Sequence, residues 1–188
     1  MDPTHSNVTF SVKHLMVATV RGRFPDVSGT IEYDPTAASV AVPIDVTAID
    51  TGTEQRDGHL RSADFFDVAN HPTMTFRSTR IEVTGDAQAK IHGDLTIRGT
   101  TRPVVLDGTL VAVVTGMQGE RRAAFEASTK IDRAAWGLTW NVALESGGWL
   151  VSKDVRIELE IAAVEAAAAR PPPRASPRGH SADARPGP

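Results

Sequence analysis

Apolar and polar residues alternate with period two along most of the chain, the spacing of strands that bury one face. Val8, Phe10 and Val12 alternate with Thr9, Ser11 and Lys13. The same rhythm runs through Val40–Ala48, Ala89–Ile97, Val104–Leu110, Ala123–Ile131 and Val155–Ile161. Further strands are expected over Gly22–Tyr33 and Thr73–Val83. Turn signals separate the runs at Asp34-Pro35, Gly85-Asp86, Arg98-Gly99 and Gly116–Gly119. About eight strands with short connections predict an up-and-down antiparallel order. Pro43 cannot donate to a ladder, so its strand needs a bulge or a free edge there.

One stretch breaks the rhythm. Thr53–Arg61 is polar and lacks period two, and Thr53 followed by Glu54 suits a helix start. A helix of about two turns is therefore expected there. The adjacent Phe65 and Phe66 that follow predict a connection that folds onto the sheet. Eight half-apolar strands close into a barrel or stack as a sandwich. A closed eight-stranded barrel has room for either a filled core or one small ligand. The small inward residues Ala48, Ala89, Gly93, Gly108, Ala123 and Ala127 leave space, and the pattern leaves both readings open.

Composition narrows the partners. The chain has 188 residues, no cysteine, and a net charge of −3. From Ala166 onward it turns to Pro, Ala and Arg with almost no large apolar residue. Such a segment cannot offset its ordering entropy, so residues 1–165 are expected to fold and 166–188 to be a disordered tail. Setting aside the tail's four arginines and one aspartate leaves 16 basic and 22 acidic residues, a net charge of −6. An acidic body is poorly matched to a phosphate backbone, so nucleic acid is not an expected partner. No run of about 18 apolar residues exists to insert stably in a membrane. Met1 is followed by neither a basic segment nor an apolar one, and a cytoplasmic location is expected unless the true start lies upstream.

Catalytic patterns are sparse. The six histidines are scattered without metal-ligand spacing, and no GxSxG turn occurs, so neither metal, cofactor nor catalytic residue is assigned. Arg56, Asp57, His59 and Arg61 spread around a short helix, and Asp57 with Arg61 has the spacing of an ordinary i,i+4 pair. His14 and His59 either hydrogen-bond a ligand head or are satisfied by backbone at a rim. Trp136 and Trp140, in a glycine-containing segment before the last strand, are placed for a flexible lid or mouth.

Longer motifs carry a family resemblance. They begin with Asp2-Pro3-Thr4-His5-Ser6 and Val8–Leu15, then Gly22-Arg23-Phe24. Ile49-Asp50-Thr51-Gly52, Arg56-Asp57, His59–Ser62 and Asp64–Val68 follow. Next come His71-Pro72, Phe76-Arg77-Ser78, Gly93–Gly99 and Thr101–Val104, and finally Trp136–Asn141 and Gly147-Gly148. In this order the chain resembles the YceI-like, polyisoprenoid-binding family over nearly all of residues 2 to 164. It departs from the family at His71, where a tyrosine is common, and in its tail. The resemblance implies an all-β, lipocalin-like barrel of eight antiparallel strands with one inserted helix. It implies a long apolar pore for polyprenyl phosphates, isoprenoid quinones or similar amphiphiles, in a carrier, buffer or sequestering role without catalysis. The alternatives are an enzyme or stress-response protein acting on a lipid or quinone, and a filled barrel serving as an interaction module, with a homodimer through an edge strand as one form of it. The residues expected to line the pore are Phe10, Val12, His14, Phe24, Ile44, Val46, Phe65, Phe66, Phe76, Leu95, Ile97, Leu106, Phe125, Trp136, Trp140 and Ile157.

Overall fold

The computed structural model describes residues 1–166 apart from 26, 35, 36 and 146. The expected tail beyond Ala166 and the Pro35 of the Asp34-Pro35 turn lie outside the described residues. Among the described residues nine strands form one antiparallel sheet: β1 (Asn7–His14), β2 (Ala18–Phe24), β3 (Thr30–Asp34), β4 (Ala37–Asp45), β5 (Thr73–Val83), β6 (Gln88–Ile97), β7 (Thr100–Thr115), β8 (Arg121–Asp132) and β9 (Val151–Val164). Their order is β2-β1-β9-β8-β7-β6-β5-β4-β3. The expected eight become nine because Gly22–Tyr33 is two strands. Pro25 lacks an N–H for the ladder and lies in the break between them.

Connectivity forces this sheet to curl. β2 and β3 are its two edges, yet only residues 25–29 join them. Six extended steps reach about 21 Å. Eight spacings of a flat sheet would set those edges about 38 Å apart. Only a rolled sheet brings them within reach, which is the lipocalin-like barrel. Across the seam Arg23 and Asp50 exchange both backbone hydrogen bonds, at 2.8 and 3.0 Å. The Arg23 guanidinium also lies 2.8 Å from the Asp50 carboxylate.

Asp50 makes the seam sensitive to strong acid. The Gly52 N–H, and then Arg23, hold its carboxyl below the ordinary value of 3.8. A lowered carboxyl contributes stability above its ordinary pKa and loses it as pH falls through the lowered value. Melting temperatures from about pH 6 to about pH 2 are expected to fall less steeply below about pH 4 for Asp50→Asn than for the native chain. Identical acid limbs would show that the seam does not sense this group.

The inward phase predicted by alternation holds. Val42, Ile44, Met74, Phe76, Leu95, Ile97, Leu106, Ile131 and Ile161 are buried, and Phe125 packs against them half-buried. Pro43 lies on β4 beyond Ala41, the last residue paired with β3, and this free edge tolerates its missing N–H. Arg98 and Gly99 form the two-residue turn between β6 and β7, both with positive φ, 48° and 72°, which suits the twist of a hairpin.

Between β4 and β5 runs the inserted connection, with helix α1 at Glu54–Arg61. Eight mostly polar residues including Gly58 make a marginal helix alone, so tertiary bonds hold it. Arg61 donates to the carbonyls of Thr47 at 2.9 Å and Ile49 at 3.2 Å. Thr53 stands at the N-cap but makes no capping bond with its side chain. Its hydroxyl accepts from Arg56 instead, at 2.9 Å. The expected Asp57–Arg61 pair is also corrected. Asp57 is buried and accepts from the Thr51 N–H and hydroxyl at 2.9 and 2.5 Å, while Arg61 pairs with Glu54 at 3.3 Å. Four charged residues that resemble a catalytic cluster thus include a fold clamp.

Candidate functional site: an apolar cavity at one end of the barrel

The inner face is filled at one end and hollow at the other. Phe76 helps fill it. Its ring occupies the space beside Gly93, where an added Cβ would lie 2.5 Å from the ring. Ile91 reaches within 3.0 Å of the corresponding point at Gly108. The small inward residues Gly93 and Gly108 therefore make room for neighbouring side chains and leave no pore of their own. One inward step along β5, from Phe76 to Met74, or along β6, from Leu95 to Ile97, enters the wall of a cavity of about 500 Å3. That volume suits a small-molecule site.

The wall has four sources. β1 and β2 give Phe10, Val12, His14, Val20 and Phe24. Met74, Ile97 and Ile131 come from β5, β6 and β8, and Val151, Val155 and Ile157 from β9. The inserted connection gives Thr53, Gln55, Arg56, His59, Leu60, Phe65 and Phe66. Arg133, Leu138, Trp140 and Leu150 come from the segment between β8 and β9. Sixteen of these twenty-two residues are apolar, and none is acidic. An interior of this kind favours hydrocarbon over water by about 0.8 kcal/mol per buried methylene.

An aromatic corner joins the helix connection to the last loop. The His59 ring meets Phe65 edge-on at 5.1 Å and Trp140 at 4.7 Å between centroids. Asp64 fixes the imidazole through Nε2 at 2.8 Å. Trp140 also borders a second, more open hollow of about 530 Å3 with Ala63, Asp64, Arg98, Thr100, Trp136, Gly137 and Thr139. Its open, polar wall suits water better than an apolar chain. Around the cavity end, Leu15, Met16, Val17, Val142 and Trp149 are exposed. Leu15 donates to the Leu150 carbonyl at 2.8 Å, and Leu150 to that of Val142 at 2.9 Å, which ties these loops together.

Of the expected lining residues, Phe10, Val12, His14, Phe24, Phe65, Phe66, Ile97, Trp140 and Ile157 meet in this wall. Ile44, Val46, Phe76, Leu95, Leu106, Phe125 and Trp136 lie outside it. The first five and Trp136 are buried core, and Phe125 is half-buried against that core. Period two distinguishes inside from outside but says nothing of depth along the barrel. The expected flexible tryptophan segment is anchored at Trp136, 4% exposed, whose indole donates to the Leu95 carbonyl at 3.0 Å. Arg133 was absent from the expected set. A 3-10 turn, Arg133–Trp136, follows β8 directly, so Arg133 keeps the inward phase of Ile131. Reading the alternation two residues further would have found it.

A YceI-like domain model matches residues 1–163. The chain belongs to the YceI-like family. Protein YceI of Escherichia coli O157:H7 is 42% identical over 130 residues, 68% of each chain. Among solved structures, the YceI protein of Campylobacter jejuni is 30% identical with a TM-score of 0.72, covering 82% of this chain and 90% of that one. A polyisoprenoid-binding domain from Saccharophagus degradans has a TM-score of 0.68 over 88% of this chain and 97% of its own. At 19% identity, that likeness speaks for the shared fold alone. The motifs fall around the cavity: Thr51, Arg56 and Asp57 build the clamp beside it, and Leu138 and Trp140 form part of its wall.

Proposed function

We propose that this YceI-like barrel binds the chain of a long apolar amphiphile of isoprenoid type and acts as a carrier, buffer or sequestering protein. The observation that carries this reading is the predominantly apolar wall of the cavity of about 500 Å3. The polyisoprenoid-binding domain of Saccharophagus degradans, built on the same fold, lends support to an isoprenoid ligand. We read the role as non-enzymatic. The wall's titratable groups are two imidazoles and two guanidiniums; no carboxylate lines the cavity, and the Asp64 carboxylate outside it occupies Nε2 of His59 at 2.8 Å. Among the described residues no helix is long and apolar enough to cross a membrane.

A native mass spectrum of freshly purified protein, followed by solvent extraction, tests the reading. A copurified long-chain lipid, chemically unchanged on standing, is the expected result. An empty protein that refuses a C20 prenyl alcohol would favour the filled interaction module. A ligand converted over time would favour the enzyme.

A further inference from the structure

Arg133 is 6% exposed and forms part of the cavity wall. Its guanidinium has two protein partners, both neutral. Nε donates to the Ser152 carbonyl at 3.0 Å, and Nη1 donates to the Leu138 carbonyl. Nη2 has no partner among the described residues, and no carboxylate pairs with the group there. Yet among the described residues no fully buried side-chain nitrogen or oxygen lacks a hydrogen bond. Nη2 therefore faces accessible space, and Arg133 meets such space in the cavity whose wall it forms. The Phe65 ring lies 5.8 Å from the guanidinium carbon and screens it from water on one side.

A buried cation compensated only by carbonyl dipoles is costly, and an anion at its free N–H would remove that cost. The wall offers no anion of its own. Its other guanidinium, Arg56, is bonded to Thr51 and Thr53. Burial lowers the proton affinity of Arg133, opposed by the nearby Asp132 charge, as expected for a cation short of a counter-ion.

We propose that Arg133 receives the acidic head of the bound amphiphile, a carboxylate or phosphate, through Nη2. This makes the preferred ligand a prenyl acid or prenyl phosphate rather than a neutral quinone or alcohol. It rests on reading the cavity as an amphiphile site.

Calorimetric titration with one C20 tail and three heads tests it: geranylgeranoic acid, geranylgeranyl monophosphate and geranylgeraniol, with inorganic phosphate alone as a fourth arm. The native protein is expected to bind the acid or the phosphate at least about tenfold tighter than the alcohol, as for a hydrogen bond to a charged group. Arg133→Met should bring the heads within about threefold of one another, and Arg133→Lys should keep the preference. Equal binding of all three by the native protein would overturn the head site while leaving the amphiphile reading intact, whether or not any variant folds. So would a preference that survives in a folded Arg133→Met protein, because Arg133 would then serve only to tie the turn to β9. Saturable, Arg133-dependent binding of inorganic phosphate alone would assign the site to a free anion and overturn the head-group role. Failure of all three prenyl compounds to bind would sink the amphiphile reading itself.

Discussion

Leu95→Asp is expected to leave no folded barrel. Leu95 is 6% exposed and faces Phe76 across the β5–β6 ladder. Its carbonyl holds the Trp136 indole at 3.0 Å, so disturbance there reaches the loop that walls the cavity. Losing the isobutyl group removes about 2–5 kcal/mol. Burying an unpaired carboxylate adds several kcal/mol more. Together these rival the whole stability of an ordinary domain, about 5–15 kcal/mol. The neighbouring Asp94 is exposed, on the outer phase of the same strand, and Asp94→Ala should shift stability by no more than about 0.5 kcal/mol. Urea unfolding followed by tryptophan fluorescence compares the two. A cooperative transition for Leu95→Asp within about 1 kcal/mol of the native one would mean that the β6 phase is wrong.

Val155→Trp is expected to weaken ligand binding roughly a hundredfold and leave the barrel standing. Val155 lies on β9 between Val12 of β1 and Ile131 of β8, and all three belong to the cavity wall. The added indole has hollow space to enter, so the overpacking cost of a dense core, about 1–3 kcal/mol, should be largely avoided. Displacing contact with three or four methylenes at about 0.8 kcal/mol each costs about 3 kcal/mol, or roughly a hundredfold in affinity. Geranylgeraniol titration beside a melting curve reads both quantities. Undiminished binding by a folded variant would place the ligand elsewhere. A tryptophan at Leu95 makes a useful contrast: it shares the inward phase but lies outside the cavity wall, so it should strain the core without closing the cavity.

How legible the molecule is from its residues depends on the range of the interaction. Strand positions, the inward phase and the helix at Glu54–Arg61 were readable because alternation and its interruption are local. The nine-for-eight strand difference turned on Pro25, a local signal inside a run read as continuous. Asp57 and Arg61 looked like a pair by spacing, but Thr51 and Glu54 claimed them because the connection folds back on itself. Arg133 was legible as the next inward position after Ile131. That its Nη2 lacks a partner among the described residues was not, because the absence depends on every element around it.

Composition and period two by themselves determined an acidic, cysteine-free, all-β body whose apolar face points inward, and the motif order determined its family. Only the tertiary structure decided that the barrel is half filled and half hollow. Phe76 and Trp140 are both aromatic residues of the interior, yet one helps fill the dense end and the other borders the cavity. The physical reason is that burying an apolar side chain gains much the same free energy at any depth, so patterning selects a face without selecting a depth. Where the lumen closes depends on which rings meet glycines across the ladder, and that is settled by register, curl and the fold-back of the inserted helix.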